Sequence, residues 1–359
     1  MDRLRQISGR LTQLAWAAAW ASVVISSSSL LAADVQVEKV LGDLQAPCGV
    51  AIRPDSGGAP SEVFVVDRGL GRVLKVSDAK SGTGIEVIAG FPARPAKDNS
   101  STSPGIQSLL FLDHTRMVIA GSNDARIPFL RLYDLSDVEE ALTADAPKQN
   151  IELPADDGNA GDGHRSFHDL ARTLPNDQVS DALIVATSDE SGAGKLWRAP
   201  VRANTLGKIA AFKTGKSNND DAAIGGIAIA NPGYIVVAFE PKHDSERASE
   251  LKFLDPVDGH TALHVSIDAQ RIVGLAYSPK TGNLYAASIP TDGKPSGIFR
   301  LDDVGKPGKP ACKAVRVAEV SQPTALAFTP EGVLYVTSLG ETANKNGNNG
   351  TLLKLTGDL

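Results

Sequence analysis

The sequence predicts an all-β chain: a six-bladed β-propeller of four-stranded antiparallel blades, its ring closed by an N-terminal strand. Three observations predict it. A short apolar opener recurs six times, at 49–52, 108–111, 169–172, 226–229, 274–277 and 325–328. The second residues of these openers are Val50, Leu109, Leu170, Ile227, Leu275 and Leu326, separated by 59, 61, 57, 48 and 51 residues. A period of that size marks a repeat architecture. One further strand-like segment, 37–41, precedes the first unit, while the sixth unit ends one strand short.

Within each unit the elements follow in the same order. A second strand, rich in Val, Ile and Tyr, is expected at 63–67, 117–121, 183–187, 234–239, 284–288 and 334–338, the composition of a buried strand. A third, alternating polar and apolar residues as a strand with one wet face does, is expected at 72–76, 129–133, 195–199, 250–254, 297–301 and 351–355. Fourth strands are expected at 85–89, 149–153, 208–212, 263–267 and 315–320. Segment 37–41 would supply the missing sixth, leaving few edges exposed. A pair of β-sandwiches explains neither the repeat nor the spare strand. One helix is expected over 137–142, where Ser136 and Glu139 have capping-box spacing.

Composition bounds the function. Gly (34) and Pro (21) are plentiful and aromatics few (5%), which suits a turn-rich chain. Net charge is −6; the first 33 residues hold three arginines against one aspartate, +2, so the remainder carries −8. An acidic body argues against nucleic acid as a partner. Residues 1–33 read basic, apolar, then small, ending Leu31-Ala32-Ala33, the order of a secretory signal peptide. The alternative is a membrane anchor, but the apolar run is broken at 26–29 and no basic stop follows. The expectation is a secreted or periplasmic monomer with no membrane span in its mature form, residues 34–359 forming one propeller domain.

The stretch Pro47-Cys48-Gly49-Val50-Ala51, followed by Val65-Val66-Asp67-Arg68-Gly69 and Arg72-Val73, resembles an NHL repeat. It is also similar to units of the gluconolactonase-like and strictosidine-synthase-like propellers. The likeness is good in the first unit, fair in the fifth and sixth, and weak in the others. It implies the propeller fold. The gluconolactonase-like enzymes further imply a divalent metal held by a Glu near the first strand, an Asn and an Asp. The matching position here is Ala46-Pro47-Cys48, which offers no Glu.

In such a propeller the fourth-to-first and second-to-third connections share one face, the top. Those connections are the long polar ones here, and elaborated loops on a rigid scaffold are where function usually sits. Two residues before each reference position stand Cys48, Gln107, His168, Gly225, Val273 and Thr324, expected at the channel mouth. Ser166 and Arg271 lie one step further out. Second-strand ends add Asp67, Arg68, Asn123, Asp124, Asp189, Glu190 and Glu240. The ligand-binding candidates are therefore Asp67, Arg68, Asn123, Asp124, His168, Asp189, Glu240 and Arg271. Their ligand would be a small polar molecule or an envelope or extracellular protein.

His168, Asp189 and Glu240 are also the donor types of one divalent metal ion, which would make the chain a metal-dependent hydrolase or lyase. The alternative for His168 is a hydrogen-bonded histidine at a strand start. The Gly-rich acidic run 156–163 lacks the closing Glu of an EF-hand loop and reads as a solvated loop. No Gly-x-Ser-x-Gly elbow accompanies Ser188, and no nucleophile with a paired base is evident. Asp67 and Arg68 would form an ion pair at a strand end. Cys48 and Cys312 fall on opposite faces in this scheme, about 17 Å apart, too far for a disulfide.

Overall fold

In the computed structural model, strand β1 (Gln36–Leu44) pairs antiparallel with the last strand of the chain, placing Gln36 opposite Thr356 and Leu44 opposite Gly350. The strand left over at the N-terminus thus completes the C-terminal sheet. The structure describes residues 35–359 except 55–60, 77–81, 94–103, 124–126, 137–139, 154–165, 176–178, 189–192, 204, 213–222, 232, 241–248, 270, 290–294, 307 and 341–349. The expected signal peptide and most of the long top-face connections lie outside the described residues.

The first sheet runs β2 (Pro47–Ile52), β3 (Val63–Asp67), β4 (Arg72–Val76), β5 (Gly84–Ala89). The second contains β6 (Gly105–Phe111), β7 (Arg116–Ser122), β8 (Pro128–Asp134) and, beyond the two-residue β9 (Leu142–Thr143), β10 (Gln149–Glu152). Strand β9 pairs in parallel with β5 and so extends the first sheet. The third holds β11 (Ser166–Thr173), β12 (Ala182–Ser188), β13 (Gly194–Pro200) and β14 (Ala210–Ala211).

Next come β15 (Ala223–Ile229), β16 (Ile235–Glu240), β17 (Glu250–Leu254) and β18 (Thr261–Ile267), then β19 (Ile272–Tyr277), β20 (Leu284–Ser288), β21 (Gly297–Asp303) and β22 (Ala311–Ala318). These eight form a single sheet, because β18 and β22 pair in parallel at Ser266–Ala311 and Ile267–Cys312. The last sheet is β23 (Pro323–Phe328), β24 (Leu334–Ser338), β25 (Gly350–Thr356) and β1.

The architecture is therefore all-β and propeller-like, with antiparallel sheets throughout apart from the two short parallel joints. Four sheets of four or five strands stand beside one of eight. Among the described residues the helical structure is a single 3-10 turn, Arg68–Leu70. The helix expected over 137–142 is corrected: 137–139 lie outside the described residues, and Leu142 belongs to β9. The expected fourth strand at 208–212 shrinks to Ala210–Ala211.

Each sheet packs both faces against neighbours, and period-two alternation supplies the two apolar faces. In β3, Phe64 and Val66 join one core cluster with Phe111, Ile119 and Phe129, while Val63 and Val65 join another with Val40, Leu44 and Tyr335. Every residue of β3, β12 and β24 is buried as a result. Phe64 meets Phe111 edge-on, ring centroids 4.8 Å apart. The openers predicted from the repeat are the innermost strands. Strand β2 lies against β6, then β6 against β11, β11 against β15, β15 against β19, β19 against β23, and β23 back against β2.

Polar ties cross between sheets. Gln149 exchanges two 2.8 Å bonds with the backbone of Leu206. Thr324 Oγ1 donates to Pro47 O at 2.8 Å, and Ser278 Oγ donates to Leu359 O at 3.4 Å. Arg53 and Arg172 donate to the backbone carbonyls of His114 and Leu112. Cys48 and Cys312 are free thiols, in β2 and β22.

Candidate functional site: the channel mouth

Each inner strand carries a register shift near its start. The shifts fall between Pro47 and Gly49, Ile106 and Ser108, Phe167 and Asp169, Ile224 and Gly226, Ile272 and Gly274, and Pro323 and Ala325. The extra residues are Cys48, Gln107, His168, Gly225, Val273 and Thr324, the positions read from the sequence as the channel mouth. A β-bulge leaves one residue without a ladder partner and re-aims its side chain. Four of these residues, Cys48, His168, Val273 and Thr324, line a central cavity of about 280 Å³, with Asp169 beside them.

The groups facing the cavity are half-buried. Burial pushes the Cys48 thiol up to about 12, with Arg68 pulling it down and Asp67 up. The thiol donates to Ile106 O at 3.4 Å. Burial drives His168 down to about 4, so its imidazole is neutral near pH 7. Its Nε2 sits 2.7 Å from Ser188 Oγ.

Asp169 lies deeper. Its Oδ1 accepts the Leu170 N–H at 2.8 Å and its Oδ2 the Ile227 N–H at 3.1 Å, a carboxyl of β11 holding β15. Burial still raises it to about 7, outweighing those two donors. Asp169 was not among the candidates. The signal for it was present: the openers begin Gly49, Ser108, Asp169, Gly226, Gly274 and Ala325, so one carboxylate occupies a position that is otherwise small. Ser188 was passed over too, because the histidine that meets its hydroxyl comes from a different strand.

Glu240, at the end of β16, is raised to about 7 by burial, partly offset by Arg271. Its Oε1 lies 3.4 Å from where a Cβ on Gly225 would stand. Arg271 is exposed and left-handed, φ 46°, just before β19. Ala46 and Gln322 have the same conformation, φ 51° and 45°, before β2 and β23.

Asp67 and Arg68 do not pair as expected. Asp67 is fully buried, accepts the Gln45 N–H at 2.7 Å, and is bridged by Arg72 at 3.0 Å. Burial raises its proton affinity, opposed by Gln45 and Arg72. Arg72 takes the carboxylate because it faces Asp67 directly across the β3–β4 ladder. Arg68 turns instead toward Gly105, its Cγ 3.6 Å from a Cβ built there. Asn123 closes a turn, its Oδ1 accepting the Ile127 N–H at 2.9 Å. Asp124 and Asp189 lie outside the described residues.

Among the described residues, the metal-type donors that cluster are Asp255, half-buried, with Asp258 and His260, exposed, in the β17–β18 turn; His168 and Glu240 belong to no such cluster. The position matching the gluconolactonase-like Glu carries instead the protonated Cys48 thiol, hydrogen-bonded to Ile106 O. That first-unit position therefore supplies no carboxylate ligand.

No protein-family model and no curated protein sequence matches the chain. Solved structures do match it. A Thermus thermophilus protein assigned as an oxidoreductase (glucose dehydrogenase) is 14% identical, over 90% of this chain and 100% of that one, with a TM-score of 0.55. A luciferin-regenerating enzyme is 15% identical, over 90% and 95%, with a TM-score of 0.55. A gluconolactonase from Xanthomonas campestris is 13% identical, over 93% and 94%, with a TM-score of 0.52. The chain is a β-propeller. Its fold is that of the gluconolactonase-like propellers, a likeness of architecture at these identities. The NHL character of the first unit stays a resemblance in sequence.

Proposed function

We propose that the chain is an exported six-bladed propeller that binds a small polar ligand at the channel mouth. The observation that carries the binding reading is the set of bulges that aims Cys48, His168 and Thr324 into one cavity beside Asp169. A concave site with convergent polar groups and displaced proton affinities is the usual form of a binding site. The blade count treats the eight-stranded sheet as two blades of four, β15–β18 and β19–β22. The cyclic order of the six inner strands supports that count. Export rests on the signal-like residues 1–33, and a monomer in the periplasm or outside the cell is the matching state. An envelope protein could occupy the same mouth in place of a small molecule.

A thermal-shift screen of sugars, sugar acids and small carboxylates tests the binding reading. A hit should weaken at least tenfold in His168→Ala and Arg271→Ala, with the unliganded melting temperature nearly unchanged. Binding indifferent to both variants sinks it. N-terminal sequencing of protein recovered from the periplasm or medium, starting near Asp34, tests export.

The second reading is a metal-dependent hydrolase or lyase. It is favoured by the fold shared with the Xanthomonas gluconolactonase and weighed against by the donor set described above. Elemental analysis of purified protein decides it: one stoichiometric divalent ion supports it, and none removes it.

A further inference from the structure

We infer that Ser188 and His168 form a nucleophile–base pair able to cleave small open-chain carboxylic esters at the channel mouth. This goes beyond the binding reading and shares with it the channel entrance and His168. The pair comes from two strands. Ser188 ends β12 opposite Ser166, the ladder continues with Thr187 opposite Phe167, and the bulge then frees His168 from the register. The freed imidazole reaches back across the pair, bringing Nε2 to 2.7 Å from Ser188 Oγ. That is the reach a general base needs to take a hydroxyl proton.

The other described histidines are engaged differently. His114 meets the carbonyl of Pro54, while His260 and His264 meet the carboxylates of Asp258 and Glu250. His168 is the one held by a hydroxyl. The hydroxyl is on a fixed support: all of β12 is buried, and Thr187 next to Ser188 accepts the Trp197 Nε1–H at 2.9 Å. Ser188 is 6% exposed and His168 lines the cavity, so the hydroxyl is shielded from bulk water while its base faces the channel. For Nε2 to accept the Ser188 proton, the imidazole carries its own proton on Nδ1.

The reaction balances without a cofactor. Ser188 Oγ bonds to the acyl carbon as its proton passes to His168 Nε2. The C–O bond to the alcohol then breaks, and the leaving oxygen takes that proton. Water adds to the acyl carbon while giving a proton to His168. Ser188 departs, reprotonated by His168, and a carboxylic acid is released.

The test uses the intact chain and an alkyl fluorophosphonate, which marks activated serines. Peptide mapping of the wild-type protein should place one adduct on Ser188. Labelling should disappear in Ser188→Ala and slow by about 100-fold in His168→Gln, with hydrolysis of p-nitrophenyl acetate falling in parallel. Folded wild-type protein that takes up no label at Ser188 overturns the proposal, as does labelling indifferent to His168→Gln. Ser188→Ala keeps the rest of the channel, so its thermal-shift response to ligands reports separately on the binding reading.

Discussion

Asp169 Oδ2 accepts the backbone N–H of Ile227 at 3.1 Å, so a carboxyl on one inner strand holds the next. The same carboxyl takes Leu170 N–H through Oδ1. Both donors favour the ionised form, yet burial wins and lifts the group to about 7. A carboxyl whose folded proton affinity exceeds its unfolded one adds stability below the unfolded value near 3.8 and loses it as pH rises through about 7. Glu240, also near 7, slopes the same way. His168, lowered to about 4, slopes oppositely, losing stability as pH falls below about 6.5.

The comparison with Asp169→Asn isolates the aspartate. Between pH 5 and 7 the wild type should lose stability relative to the variant by up to about 1.4 kcal/mol per pH unit. Urea unfolding at pH 5, 6, 7 and 8 reads the difference. Parallel pH profiles would mean that Asp169 titrates normally.

Gly225 is the bulge residue of its strand, and a Cβ there would run into the Ile272 carbonyl of the neighbouring inner strand. Neither backbone can yield, because both strands are held in their own ladders. Gly225→Ala should cost about 1–3 kcal/mol, read as a lower urea midpoint. Gly82→Ala serves as a control for space, since nothing lies within 4 Å of a Cβ there, although its φ of 58° adds backbone strain.

The repeat made the fold legible because its signal is local. Openers with an apolar second residue mark the inner strands, and counting back two residues reached the bulge in every one. The leftover strand at 37–41 was legible for the same reason: a sheet short of one strand and a strand short of a sheet point to each other. What stayed hidden is contact between units. The two-rung pairing of β18 with β22 follows from how outer edges meet, and no periodicity records that. Arg72 rather than Arg68 captures Asp67 because a ladder places it opposite, whereas adjacency in sequence suggested Arg68. Ser188 and His168 are 20 residues apart, and only the bulge brings them together.

Cys48 and Cys312 are free, with thiols raised to about 12 and about 11 by burial. The thiolate is the reactive form. At pH 8 the native protein should therefore react with Ellman's reagent far more slowly than a small thiol, and Cys48 should be the slower of the two. In guanidinium, two thiols per chain should appear at once. Recovery of two only after reductant would reveal a disulfide.

Strand β1 carries the closing contacts, and its removal tests closure directly. Val40, Leu41 and Leu44 are 3%, 6% and 1% exposed and pack with Val50, Val65 and Leu74 of the first sheet and Tyr335 and Leu352 of the last. Deleting residues 1–44 strips that cluster and bares the outer edge of β25, an unpaired row of backbone donors and acceptors. The truncated chain should unfold at lower urea with a broadened transition and tend to aggregate. The point variant Leu44→Ala should cost about 2–5 kcal/mol while staying monomeric. Addition of a synthetic peptide of residues 35–44 to the truncated chain should restore much of the lost midpoint. A truncated chain as stable as the full one would show that the ring holds together without its N-terminal strand.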